Sequence, residues 1–202
     1  MPASKMRSGT ILASLNCDRR RGLALIGCLA LLWALFAGGP ALTMELRYER
    51  EAIGHGQWWR LASAHWVHLD ARHLLLDSAG LVLLWCLYAR ELRPAQWLLV
   101  LAAATVAIDA GLWWGEPAVA WYVGISGLLH GAWAAGAMAQ LLRGDRRAGL
   151  VLALLALKLL LERHEGNSLV SPGLPVVTAA HDFGALGGLV AVTALALRRK
   201  PL

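Results

Sequence analysis

Residues 118–142 read AVAWYVGISGLLHGAWAAGAMAQLL, 25 positions without a single Asp, Glu, Lys or Arg. Crossing about 30 Å of hydrocarbon as a helix takes roughly 17–25 such residues, so this run is long enough to span a bilayer. It also carries a serine between small residues, Gly124-Ile125-Ser126-Gly127, and a histidine, His130, one turn later. Five further apolar runs flank it, at about 23–42, 73–89, 95–114, 147–162 and 174–197. The fold expected is all-α, a polytopic membrane protein built as a six-transmembrane-helix bundle. Its parts are a cytoplasmic N-terminal segment (1–22), a membrane domain (23–197) with an external loop (43–72), and a basic cytoplasmic tail (198–202).

Composition agrees with that reading. Of 202 residues, 58% are apolar and 16% charged, against about 45–50% and about 25% in soluble domains. The mean hydropathy is +0.54. A soluble globule, a disordered chain, a coiled coil, collagen and a disulfide scaffold are excluded on these figures. The three cysteines, Cys17, Cys28 and Cys86, form no CxxC pair, and Cys28 and Cys86 fall inside apolar runs as small core hydrophobes. No disulfide, metal or cofactor is indicated.

The net charge of +6 reports topology and does not point to nucleic acid. With the N-terminus inside, 13 of the 19 basic residues fall on the cytoplasmic side, five fall outside, and Lys158 lies within the fifth run. Both termini are therefore expected in the cytoplasm. Arg19–Arg21, an apolar run and the small residues of 37–41 imitate a signal peptide, but the run reaches spanning length and is read as retained. The loop 43–72 has four acidic and four basic residues with Trp58, Trp59 and Trp66 among them. Tryptophan prefers the membrane interface, which puts this loop in the outer headgroup region; an ordinary amphipathic connector has the same composition.

Ionisable groups inside a span cost roughly 2.5–3.5 kcal/mol each, so those present require a reason. The second run opens with His73 and carries Asp77 one turn on; the sixth contains His181 and Asp182. The second, fourth and sixth runs all pass from outside to inside. Ser126 lies about eight residues into its run and His181 about seven into its own, roughly 10–12 Å below the helix start at 1.5 Å per residue. Ser126, His181, His73 and Asp77 can therefore meet in one pocket that opens outward. Serine is a weak nucleophile until a hydrogen-bonded imidazole takes its proton, and the oxyanion that follows needs preorganised donors. Singly, each residue has a plain structural role available, the serine bonding back to a carbonyl and the histidine as a bundle residue.

Small residues recur on the same two helices. Gly127-xxx-Gly131-xxx-Ala135 and Gly184-xxx-Gly188 are faces that let helix backbones approach closely. Packing these faces together would bring Ser126 Oγ within reach of His181.

In these residues the chain resembles the rhomboid family of intramembrane serine proteases. The GxSG motif is Gly124-Ile125-Ser126-Gly127, and the AHxxG motif is Ala180-His181-Asp182-Phe183-Gly184, with Gly188 at the family's spacing. Trp59-Arg60 looks like the family's WR motif, and His68, His73 and Asp77 follow the pattern HxxxxHLLxN. The similarity runs from about Gly56 to Leu197. It implies a rhomboid-like bundle in which Ser126 is the nucleophile and His181 the general base, a dyad lacking a third acid. It also implies that the Ser126 N–H and His73 help hold the oxyanion. Asp77 stands where the family has asparagine: ionised it would repel an oxyanion, whereas protonated it could donate as an amide does.

His130 stands where many rhomboids carry tyrosine, either stacked beneath His181 or as a second polar pocket residue. The GxSGxLHG-like sequence of 124–131 in a small chain is most similar to the rhombosortase branch. That implies membrane-anchored substrates with a C-terminal Gly-Gly or similar small-residue motif, an apolar span and a basic tail. It further implies the inner membrane of a Gram-negative bacterium, with the site opening toward the periplasm. On a helix Asp182 points about 100° away from His181 and is not read as a third acid. Asp109 and Lys158 are expected to snorkel or pair, and residues 166–173 form either a gate or an ordinary loop. The competing readings are an inactive rhomboid relative that binds membrane helices and a small transporter with a His/Asp proton relay.

Overall fold

The computed structural model describes residues 19–166, 168 and 176–198, so the expected terminal segments, except for residues 19–22 and 198, lie outside the described residues. So does most of the expected gate at 166–173, Gly166 and Ser168 apart. Six helices have 17–19 residues: α1 (Arg19–Ala37), α5 (Ala71–Tyr88), α6 (Pro94–Ala110), α7 (Ser126–Leu142), α8 (Arg147–Glu165) and α9 (Ala179–Leu197). At 1.5 Å per residue each is about 26–29 Å long. By length and composition, α5, α9 and α6 with its π-helical continuation (Gly111–Gly115) can each cross a membrane. A fourth span is possible where α1 and the short helix α2 (Gly39–Leu46) meet at a 110° bend. Helix α8 carries Lys158, Glu162 and Arg163 in its second half, and α7 stops at 17 residues, which keeps both outside that count.

Local signals explain where the helices begin and end. Asp70 caps α5 by accepting from the His73 backbone N–H at 2.8 Å. Pro94 sits in the first turn of α6, where its missing N–H costs nothing, and the Gln96 side chain accepts from the Arg93 N–H. Gly166, at φ +64°, closes α8 in the left-handed conformation.

One expected span is shorter than the apolar run that announced it: the run 118–142 becomes helical only at Ser126, while the described helix within the run 174–197 begins at Ala179. In the first case the cause is pairing outside the helix. Strand β1 (Tyr48–Glu49) lies antiparallel to β2 (Trp121–Tyr122), with Tyr48 opposite Tyr122, and this holds the chain at 121–122 in extended form ahead of the helix. Ser126 and His181 are thus the first and third residues of their helices, not residues two turns into them.

The 43–72 connection is a folded cap. Between β1 and α5 it forms α3 (Arg50–Gly54), α4 (Trp59–Ser63) and a 3-10 turn (Ala64–Trp66). Arg60 is buried and donates to the carbonyls of Met44 and Arg47 and to Gln57 Oε1. Arg50 donates to four carbonyls of the 112–119 segment, those of Leu112, Trp113, Glu116 and Val119. Trp58 and Trp59 remain exposed, as interface residues would be.

Helix α7 is the axis of the bundle, packed on α5, α6, α8 and most extensively on α9. Its closeness to α9 depends on glycine: a Cβ at Gly184 would collide with the Gly127 carbonyl, and one at Gly188 with the Gly131 carbonyl. The two small-residue faces therefore meet each other, in the register that sets the heads of α7 and α9 side by side.

Candidate active site

Ser126 Oγ lies 3.0 Å from His181 Nε2. His181 is 2% exposed, and Ser126 is half-buried at the N-terminus of α7. Gly124, two residues earlier, has φ +112°, a conformation that L side chains rarely adopt. A Cβ there would lie 2.7 Å from His73 Nε2 and 3.4 Å from Asp77 Oδ2. His73 and Asp77 are thus against the Gly124 backbone, and the glycine is what lets them approach the loop that carries the serine.

Asp77 Oδ2 faces two imidazoles, His68 Nε2 at 3.0 Å and His73 Nε2 at 3.4 Å, with the two rings edge to face at 5.1 Å. The three residues form one buried cluster at the N-terminal end of α5. A second polar group secures the approach to Gly124. The Tyr122 hydroxyl donates to the Gly124 carbonyl at 2.7 Å and lies 3.4 Å from His65 Nδ1, while His65 Nε2 lies 3.5 Å from Asp109.

His130 is stacked under His181, centroids 4.0 Å apart and planes within 15°. Its Nδ1 is 2.8 Å from the Ser126 carbonyl oxygen, so Nδ1–H donates there, and its Nε2 is 2.9 Å from Lys158 Nζ. Gly127, Gly131, Gly184 and Gly188 are all in the α7–α9 contact, as their spacing suggested. Asp182 turns away from His181 and pairs with the exposed Arg163 at 3.0 Å.

The resemblance implied a dyad without an acid; in the structure His181 Nδ1 lies 3.0 Å from Glu162 Oε2, a carboxylate on α8 that is 1% exposed. Glu162 also holds the Lys158 ammonium at 2.6 Å and accepts from the Ser168 hydroxyl at 3.1 Å. The fifth apolar run, 147–162, ends on this carboxylate, and hydropathy alone gives it no role. The signal that could have found it is the spacing: Lys158 and Glu162 stand four apart, on one face of α8, the first charges after ten apolar or small residues. His130, Glu162 and His181 offer three ligand atoms within 4.8 Å of one another, the only such group among the described residues. The Lys158 ammonium already sits in the position a cation would take there, bonded to two of the three.

The chain is helical, with apolar helices long enough to cross a membrane, and it brings a serine and an imidazole into hydrogen-bond contact at the heads of two glycine-packed helices. The Rhomboid domain model matches residues 55–198, and the chain belongs to the rhomboid family. It is also similar to the candidate rhomboid protease YdcA of Bacillus subtilis (strain 168), with 28% identity over 170 residues that cover 80% of this chain and 81% of that one. Family membership supports a multi-pass membrane protein that acts as a protease on membrane-protein substrates.

Proposed function

We propose that the chain is an intramembrane serine endopeptidase in which Ser126 is the nucleophile and His181 the general base. The observation that carries this is the 3.0 Å contact of Ser126 Oγ with His181 Nε2 at the buried head of α7 and α9. In the reaction, Ser126 Oγ attacks the scissile carbonyl carbon as its proton passes to His181 Nε2. The oxyanion forms beside the Ser126 N–H, with His73 and Asp77 against the adjacent Gly124 backbone. His181 then returns the proton to the leaving amine, and water hydrolyses the acyl-enzyme by the same base.

All six long helices span the membrane in this reading, with both termini cytoplasmic and the site opening to the periplasmic side of a bacterial inner membrane. The surplus of basic residues in the segments read as cytoplasmic supports that orientation. The substrate is a membrane-anchored protein with a C-terminal Gly-Gly or similar small-residue motif ahead of its span, as in the rhombosortase branch. The support is the 124–131 sequence together with His130, which lies stacked beneath His181. Glycine suits such a site because it lowers helix stability by about 1 kcal/mol per residue, which eases local unwinding.

The test uses purified full-length protein in detergent with a reporter carrying a Gly-Gly motif, an apolar span and a basic tail. Ser126→Ala and His181→Ala should abolish cleavage while leaving the fold intact by circular dichroism. Cleavage that survives in Ser126→Ala refutes the serine mechanism. Cleavage of ordinary rhomboid substrates but not of this reporter removes the chain from the rhombosortase branch.

A further inference from the structure

The outward face of α8 is aliphatic, with Leu150, Leu154, Leu157 and Leu160 exposed as a lipid-facing surface would be. Its inward face carries an ammonium and a carboxylate one turn apart, with side chains 14% and 1% exposed. Burying a pair of this kind costs several kcal/mol per ion before their attraction is counted, and a bundle held by glycine contacts gains no obvious stability from it. The purpose lies in what the pair touches.

Among the described residues, the hydrogen bonds around it have assignable directions. The Ser126 carbonyl can only accept, so His130 Nδ1 carries a proton and His130 Nε2 is an acceptor. Lys158 can only donate, and it serves His130 Nε2 at 2.9 Å and Glu162 Oε2 at 2.6 Å. Glu162 faces donors on both oxygens: Lys158 and His181 Nδ1 on Oε2, and the Ser168 hydroxyl on Oε1. His181 therefore holds its proton on Nδ1 and turns a bare Nε2 lone pair to the Ser126 hydroxyl. The ring closes on the serine through Ser126 Oγ, His181, Glu162, Lys158, His130 and back to the Ser126 carbonyl.

We propose that Glu162 is a positioning carboxylate for His181, so that the site is a Ser126–His181–Glu162 triad, with Lys158 as the carboxylate's counter-charge and the donor that holds His130 in one tautomer. This rests on the serine-protease reading above. A base must present an unprotonated Nε2, and the carboxylate both selects that tautomer and faces the imidazolium that forms when Nε2 takes the proton. The ammonium makes the buried carboxylate tolerable at rest: the pair is neutral overall, and charge separates only when His181 is protonated and the oxyanion appears. Among the described residues, the titratable groups facing Glu162 are Lys158 on its own helix and His181 on α9, with His130 on α7 behind the ammonium.

Glu162→Gln alone leaves the Lys158 ammonium buried without its counter-charge, so the decisive variant is the double replacement Lys158→Met/Glu162→Gln, which removes both charges at nearly constant volume. We expect it to purify and melt like the wild type, to lose about 10²–10⁴-fold in kcat, and to change KM less than about threefold. Glu162→Asp, keeping the carboxylate, should recover part of the lost kcat. A separate readout does not need activity: ¹⁵N-histidine NMR of the wild type should show His181 as the Nδ1–H tautomer, and the double variant should lose that signal. A double variant that cleaves within threefold of the wild-type rate, or an unchanged His181 tautomer, overturns the triad. A wild-type protein that cleaves nothing refutes the serine-protease reading instead, and the tautomer signal then still decides whether Glu162 positions His181.

Discussion

Replacing Gly131 with alanine tests whether the α7–α9 approach is what assembles the proposed site. An alanine Cβ at 131 would lie 2.7 Å from the Gly184 carbonyl oxygen and 2.8 Å from Ala104 Cβ. Ordinary van der Waals contact begins at 3.4 Å, so α9 must retreat by about 0.7 Å, and backbone on one side and a methyl on the other leave no flexible side chain to absorb the change. Gly131 is five residues from Ser126, about 7.5 Å along the same axis, so a rigid retreat carries to the head of the helix nearly undiminished. The Ser126–His181 separation then grows from 3.0 Å to about 3.7 Å, beyond hydrogen-bond reach. Overpacking of this kind costs about 1–3 kcal/mol of stability, and a misplacement approaching 1 Å costs on the order of 10–100-fold in rate. The assay is labelling of Ser126 by a fluorophosphonate, followed beside reporter cleavage and a melting curve. Gly149→Ala on α8 is the control, since its new Cβ meets only Leu141 at 3.8 Å. Gly131→Ala should label and cleave at least tenfold more slowly while Gly149→Ala matches the wild type. Wild-type labelling in a folded Gly131→Ala protein would refute the idea that glycine packing holds nucleophile and base together.

Three further outcomes are expected. Asp77→Asn puts an amide donor where the carboxylate stands against Gly124, so reporter cleavage should hold within about threefold or rise; a loss of about a hundredfold would show that the carboxylate itself, facing His68 and His73, is required. Tyr122→Phe removes the hydroxyl that satisfies the buried Gly124 carbonyl, so stability against denaturant should fall by about 1–3 kcal/mol together with kcat, and an unchanged denaturation midpoint would count against that bond. Arg50→Lys gives up the guanidinium fork that reaches four carbonyls of residues 112–119, and hydrogen exchange in that segment should accelerate while α7 stays protected.

Legibility in the sequence followed the range of each signal. Hydropathy located the long helices because an apolar run of spanning length has few alternatives, and the small-residue spacing at 127, 131, 184 and 188 announced which two would touch. It could not locate where the helices begin. Residues 118–125 are as apolar as the helix that follows, and what keeps them out of it is a partner strand some 70 positions away, Tyr48–Glu49, pairing with Trp121–Tyr122, and a positive φ at Gly124. Glu162 escaped for a related reason. A charge near the end of an apolar run reads as a span boundary, and only the three-dimensional placement of Lys158, His130 and His181 around it gives the charge a place inside. Arg60 shows the opposite case: the WR motif was visible, but its work, holding the carbonyls of residues 44 and 47, lies in the fold of the cap.

The helix directions explain why the acid comes from α8. His73, Ser126 and His181 stand in the first turns of α5, α7 and α9, so three helix N-termini converge on the proposed site. Each end carries roughly half a positive charge, which favours a developing oxyanion and opposes a developing imidazolium. A base at the head of α9 therefore needs negative charge from elsewhere, and the neighbouring helix must run the other way to supply it. Helix α8 does: Glu162 lies in its last turn, near the end where carbonyls and not amides are unsatisfied. The same end disfavours the carboxylate's own charge, and Lys158, one turn earlier, offsets that. An antiparallel pair thus divides the two charges of the proposed transition state, the oxyanion to the N-termini of α5, α7 and α9, and the imidazolium to the C-terminal carboxylate of α8.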